Sequence, residues 1–201
     1  MPGCRYKAGR QVYKEIIKDT HFVFVYTEVK NDINRRKKNM VEHPINPVFD
    51  KDSKILILGS FPSVKSREAN FFYGHPQNRF WKVLSVVFEE DVPSTVEEKR
   101  AFLLRNHVAV WDVIHSCDIV GSSDSSIKNV VANDLSIILE SAKIEQIFVN
   151  GKTAEQYYKK YIEKETGRKA ICLPSTSPAN AAWNVERLVD VWKQVKDWMQ
   201  V

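Results

Sequence analysis

Cysteine is scarce in this chain of 201 residues: Cys4, Cys117 and Cys172 stand far apart. That spacing excludes a disulfide framework and a CxxC redox pair, and three thiolates are too few for a Cys₄ iron–sulfur cluster. A reducing, intracellular setting is therefore the expectation. No apolar run approaches the roughly 18 residues of a membrane span, and no secretory leader pattern is evident, so no membrane partner is expected. The motifs GxSxG, HExxH and GxGxxG are absent, as is cysteine–histidine metal spacing. Gly151-Lys152-Thr153 matches the tail of a phosphate-binding P-loop, but Gln146 stands where its first glycine belongs. Surplus positive charge is also scarce over most of the length. Of a net +5, residues 1–50 carry ten Lys/Arg against six Asp/Glu, which leaves +1 for the other 151 residues. Bulk charge thus supports polyanion binding weakly, and mainly for the amino-terminal arm.

What the chain does have is a repeated alternation after a seam near residue 40. Apolar runs at Ile55–Leu58, Val108–Trp111, Gln146–Asn150 and Ala170–Leu173 read as strands. Helical periodicity falls between and after them, at about 76–90, 94–105, 126–141, 152–165 and 184–200. Ser94-Thr95-Val96-Glu97 fits a capping box, and Leu188, Val191, Trp192, Val195 and Met199 form one apolar stripe. Strands alternating with helices predict βαβ units, hence an α/β fold on a short, mostly parallel four-stranded sheet. Residues 1–39 read as an extension, possessing a helix-like stretch at Gln11–Lys18, a strand-like one at His21–Val29 and a basic run at Arg35–Lys38. Met40 is a candidate alternative start, with the catalytic domain over residues 40–201.

Each predicted strand ends in a polar or glycine-rich cluster. These are Gly59-Ser60-Phe61-Pro62, Trp111-Asp112, Asn150-Gly151 and Pro174 to Asn180. In an open parallel sheet all four share the carboxyl edge, where ligands bind. The loop after the first strand adds Phe71, Phe72, Tyr73, His75, Asn78 and Trp81, more chemistry than a connector needs. Rings, amides, hydroxyls and backbone N–H groups suit holding a flat heterocycle, reading its edge and gripping phosphates without a metal.

The blocks Gly59-Ser60-Phe61-Pro62-Ser63, Tyr73-Gly74-His75-Pro76-Gln77-Asn78-Arg79-Phe80-Trp81-Lys82, Phe148 to Lys152 and Leu173 to Pro178 together resemble the uracil-DNA glycosylase superfamily. The GSFPS and LPSTSPAN wording is most similar to its hypoxanthine-DNA glycosylase branch. The resemblance spans about residues 43–198. It implies a three-layer α/β/α sandwich and hydrolysis of the N-glycosidic bond of a deaminated base in DNA, hypoxanthine preferred. It also implies a monomer with no metal or organic cofactor. No lysine is singled out for a Schiff base, so the expected enzyme is monofunctional. Two departures stand out. Phe61 occupies the place of a catalytic Asp or Asn, and Ser175 to Ser177 replace a late histidine of the uracil-specific branch.

Asn78 is the catalytic candidate, both from its place beside Pro76 at a helix start and from the resemblance. Its amide oxygen can align a water and its nitrogen can donate to the leaving base. The plainer role is a helix-start residue bonding backbone. Ser60, Phe61, Tyr73 and Asn150 are the base-binding candidates. The resemblance implies that Tyr73 stacks on the flipped base, with Phe61 opposite. Ser63, Lys65, Ser175, Ser177 and Asn180 are the DNA-contact candidates, or else ordinary turn residues. His75 reads as loop-fixing, and Phe71 and Phe72 as base contacts or core anchors. Asp124 reads as a helix cap, and Asp112 as an acid/base group or, more simply, a loop-bonding residue. Rival functions are excision of uracil, thymine or xanthine from mismatches, a non-catalytic nucleic-acid binder, and a small-nucleoside hydrolase.

Overall fold

The run Ile55–Gly59 is β-branched and leucine-rich, and every residue of it is buried, as a strand covered on both faces requires. The computed structural model describes residues 40–198. The expectations for residues 1–39 lie outside that range. Within it, β1 (Met40–Glu42) precedes β2 (Ile55–Gly59), and α1 (Val64–Glu68), α2 (Phe80–Phe88) and α3 (Val96–Arg105) follow. Next come β3 (Val108–Asp112), β4 (Ile114–Asp118), β5 (Lys128–Ala132), α4 (Ser136–Leu139) and β6 (Gln146–Asn150). The chain continues through α5 (Lys152–Tyr161), α6 (Glu163–Thr166), β7 (Ala170–Leu173), α7 (Val185–Trp192) and α8 (Gln194–Asp197). No helix among the described residues is long and apolar enough to cross a membrane.

The principal sheet has the order β3-β2-β6-β7, and all three neighbouring pairs are parallel. Alternate residues of β2 enter two separate cores. Ile55 and Ile57 pack with Phe80, Leu84, Phe102 and Trp192 from α2, α3 and α7. Leu56 and Leu58 pack with Ile114, Ile138 and Tyr158 on the other face. Three layers result, the arrangement expected for strands that alternate with crossover helices. The register sets Gly59 level with Asp112, and Asn150 level with Leu173, so the four strands end along one edge. Trp192, fully buried, also donates its indole N–H to the Pro174 carbonyl at 3.0 Å, which ties α7 to the loop leaving that edge.

Several expectations are corrected. The stretch 126–141 is not a helix: it holds β5, a turn and the four-residue α4. The two valines of Lys128-Asn129-Val130-Val131-Ala132 favour extended backbone, and β5 finds a partner in antiparallel β4. With β1 they form a second, three-stranded sheet that the alternating pattern did not announce. Asp124 accordingly begins a single 3₁₀ turn (Asp124–Ser126), not an α-helix. Helix α2 starts at Phe80, since residues after Pro76 form a turn instead. The capping box lies one residue later than expected, at Thr95 and Glu98.

Candidate active site

Glycine at position 59 is dictated by its neighbour: a Cβ there would stand 2.1 Å from Asp112 Oδ1 and 3.4 Å from the Tyr73 hydroxyl. The absence of a side chain lets β2 end against a carboxylate and opens a cavity of about 290 Å³ at the carboxyl edge. That is near the lower end of the roughly 300–1,000 Å³ of small-molecule sites, which suits one heterocycle better than a dinucleotide. Four chain segments and the loop 119–124 build its walls.

At the floor, Asp112 Oδ2 lies 2.7 Å from His43 Nε2, with side chains only 6% and 1% exposed. The Asn133 amide donates to the Asp112 carbonyl at 2.9 Å. Asp112 therefore does bond to flanking loops, as the plainer reading held, and its carboxyl also lines the cavity. His43 gave no signal in sequence; one histidine before a proline has no spacing to reveal a partner 69 residues away.

Tyr73 adopts φ 53°, a left-handed conformation rare for a residue of its size. Phe80 covers one face of its ring, with centroids 3.7 Å apart and planes 18° apart, and the rest of the ring lines the cavity. Its hydroxyl is buried and makes no well-formed hydrogen bond among the described residues. Burial, followed by the negative charge of Asp112, pushes the phenol pKa far above its usual range, so the group remains a neutral donor. The Asn150 side chain is near enough only to oppose that rise weakly. Phe61 approaches from the opposite core layer, 8% exposed, with its ring edge-on to His43 at 5.9 Å. The Arg67 guanidinium sits 5.7 Å from its centroid. Phe71 and Phe72 are 3% and 2% exposed in the core; Phe72 also touches the cavity wall.

Asn78 does what its plainer role requires and keeps something in reserve. Its Oδ1 accepts the Phe80 N–H at 3.0 Å, which closes the turn into α2. The Nδ2 group donates to no protein acceptor among the described residues, and the side chain lines the cavity. His75 fixes this turn, its Nδ1 accepting the Gln77 N–H at 3.2 Å. Asn150 grips Thr176 twice, accepting its N–H at 3.0 Å and donating to its hydroxyl at 2.9 Å. Gly151 makes room for this loop: at φ 97° its Cβ would stand 2.8 Å from that of Ser175.

The loop after β7 is held by Arg79, whose guanidinium donates to the carbonyls of Thr176, Ser177, Asn180 and Trp183. Sequence reasoning singled out no role for Arg79; its partners lie some hundred residues away, beyond any local pattern. Within the loop, Ser175 Oγ accepts the Ser177 N–H, Ser177 Oγ accepts the Ala179 N–H, and Asn180 donates to the Ser175 carbonyl. Ser63 caps α1 by accepting the Ser66 N–H at 3.2 Å. Lys65 is exposed and pairs with Glu68 at 2.8 Å, outside the cavity lining. Asn180 faces a neighbouring cleft with Lys152 and Trp183. The other candidates, Ser60, Phe61, Ser63, Tyr73, Asn78, Asn150, Ser175 and Ser177, all meet at the one cavity.

The fold is a three-layer α/β/α domain with a cavity at the carboxyl edge of its parallel sheet. The chain belongs to the Uracil DNA glycosylase superfamily, whose family pattern matches residues 47–197. It is 35% identical over 136 residues to the Hypoxanthine DNA glycosylase of Methanosarcina barkeri, covering 67% of this chain and 85% of that protein. A protein of the same name from Methanosarcina acetivorans is 33% identical over 150 residues, 74% of this chain and 94% of that one. The solution NMR structure of a candidate uracil DNA glycosylase from Methanosarcina acetivorans superposes with a TM-score of 0.68. That match has 30% identity and covers 81% of this chain and 99% of the other.

Proposed function

We propose that this chain is a monofunctional DNA glycosylase that hydrolyses the N-glycosidic bond of a deaminated base, hypoxanthine first. The observation that carries the reading is the cavity itself, where Tyr73, Phe61 and the free Nδ2 group of Asn78 meet at the carboxyl edge. A base inside a duplex cannot reach such a recess, so the nucleotide must flip out at a cost of a few kcal/mol. Stacking on an aromatic ring returns about 1–3 kcal/mol. Edge contacts to Ser60, to the buried Tyr73 hydroxyl and to the second N–H of the Asn150 amide, whose first is held by Thr176, supply the remainder.

Asn78 donates from Nδ2 to an oxygen of the leaving base while its Oδ1 stays committed to the Phe80 N–H. That geometry favours the leaving-group role of Asn78 over water alignment, because one lone pair of the oxygen is already used. Preorganised donors aimed at developing negative charge are among the larger contributions to such reactions. The loop hydroxyls of Ser175 and Ser177 accept backbone N–H groups, which leaves each hydroxyl proton free for a phosphate oxygen. Ser63 accepts a backbone N–H too, but it also shares a hydroxyl–hydroxyl bond with Ser66 at 3.0 Å and would have to exchange it for phosphate. Lys65 and Asn180 flank that surface. The route calls for neither a metal nor an organic cofactor, and a monomer suffices. The family match begins at residue 47, which supports residues 40–201 as the glycosylase domain.

The test is excision from labelled oligonucleotides carrying one hypoxanthine, uracil, xanthine or mismatched thymine, with alkali to reveal abasic sites. Strong cleavage at hypoxanthine and little at uracil is expected. Binding of DNA with no product from any substrate would make the chain a non-catalytic relative.

A further inference from the structure

Loss of a base from a deoxynucleotide builds positive charge on C1′ and the ring oxygen, and a water must approach that carbon. Among the described residues, two carboxylates line the cavity, Asp112 and Asp124, and they differ in depth. Asp112 is 4% exposed at the floor, and one of its oxygens is held by His43. A base inserted into the recess meets it edge-on. Asp124 lines the same cavity but is exposed, which sets it nearer the mouth, where the sugar of an inserted nucleotide would lie.

The loop bearing Asp124 is fixed at several points. The Val64 N–H donates to Ser122 Oγ at 2.9 Å, and Arg67 donates to the carbonyls of Pro62 and Gly121. Ser60 Oγ lies 3.4 Å from Asp124 Oδ1. This anchoring holds a negative charge where the surrounding hydroxyls and amides would otherwise suit phosphate. A carboxylate there opposes the DNA backbone electrostatically, a cost that yields a benefit only if a cation forms next to it.

Accepting the glycosylase reading above, we infer that Asp124 is a catalytic residue that faces C1′ of the flipped nucleotide and receives a proton from the attacking water. The water oxygen bonds to C1′ and the C1′–N9 bond breaks with its electron pair leaving on the base. The released proton passes to the Asp124 carboxylate, and the base anion takes a proton from solvent. Before transfer, the same carboxylate stabilises the charge growing on the sugar. Although the residue is exposed, atoms crowd its carboxyl within the recess. This burial raises its pKa first, hydrogen bonds from Thr153 and Ser60 oppose the rise, and the charge of Asp112 adds to it. Cys117 on β4 and Tyr157 on α5 also feel its charge. A raised pKa makes a better proton acceptor near neutrality.

The experiment compares wild type with Asp124→Asn, Asp124→Glu and Asp124→Ala in single-turnover excision of hypoxanthine, beside binding to the same duplex. Asp124→Asn should lose about 10²-fold or more in rate while binding DNA as tightly as wild type or more tightly, since it removes a charge that repels the backbone. Asp124→Glu should recover part of that rate, and formate should partly rescue Asp124→Ala. The wild-type rate should fall on the acid side, a limb that Asp124→Asn lacks. An Asp124→Asn rate within threefold of wild type overturns the assignment. So does parallel loss of rate and DNA binding in all three variants without formate rescue, which marks a merely structural loop. Wild type inactive on every base removes the glycosylase reading as well.

Discussion

Replacing Asn78 by alanine removes a helix-start bond and a free donor at once, and the two losses have different sizes. The Oδ1 bond to the Phe80 N–H resembles a capping interaction, whose loss costs about 1 kcal/mol. For a chain of this length that lowers Tm by roughly 2–4 °C. Losing a donor aimed at the departing base costs about 2.7–4 kcal/mol of barrier, or 10²–10³ in rate. Asn78→Asp separates the two, because it keeps an oxygen for Phe80 and discards Nδ2. It should melt at or above wild type, since a carboxylate is favourable at a helix start. Its excision rate should nevertheless fall about as far as that of Asn78→Ala. Thermal melts and single-turnover cleavage of hypoxanthine DNA read both quantities. An Asn78→Asp variant with wild-type rate would show that the oxygen alone matters. A folded Asn78→Ala variant with wild-type rate would remove Asn78 from the mechanism.

Gly59→Ala forces a Cβ to 2.1 Å from Asp112 Oδ1, so the carboxylate must leave its place against His43. Such overpacking should cost about 1–3 kcal/mol and most of the activity, and an unshifted denaturation midpoint would refute it. Arg79→Lys replaces a fork that reaches four loop carbonyls by a point charge that cannot. A loss of about 1.5–3 kcal/mol and early proteolysis within residues 174–183 are expected. Asp124→Asn should change the pH dependence of stability. Since the folded pKa is raised, the native state holds that proton more tightly, and its contribution is lost as pH rises through the folded value. The variant should therefore gain over wild type at pH ~7 and show no gain below the ordinary carboxylate range near pH ~4, measured as urea midpoints. Thr95→Ala, by contrast, breaks a capping box on α3 at about 1 kcal/mol and should leave excision untouched.

Two kinds of information built this site, and the local kind was open to sequence reading. Four apolar runs ending in glycine or polar residues specified four strands, and two of them, Gln146–Asn150 and Ala170–Leu173, have the boundaries expected. Burial on both faces leaves such runs little alternative to a parallel sheet. Once the sheet is parallel, its strand ends share an edge, so the candidate residues of those loops had to be near one another. The segment 126–141 defeated the same reasoning, because its apolar spacing fits a helix while the partnership with β4 makes it a strand. β propensity is realised by a neighbour that no local window contains.

From sequence alone came the layer order, the edge that holds the site, and most of the side chains that meet there. Those depend on periodicity, turn chemistry and the geometry of parallel strands, all written within a few residues. Tertiary structure alone decided what each polar group is free to do. It committed Asn78 Oδ1 to Phe80 and spared Nδ2, closed Asn150 onto Thr176, set His43 under Asp112, and raised Asp124 to the mouth. Each outcome joins partners separated by two to about seventy residues, and whether an amide or carboxylate is spent or available depends on the atoms beside it. Apart from the local Asn78–Phe80 bond, proximity of that kind exists only once the two cores have closed on the sheet.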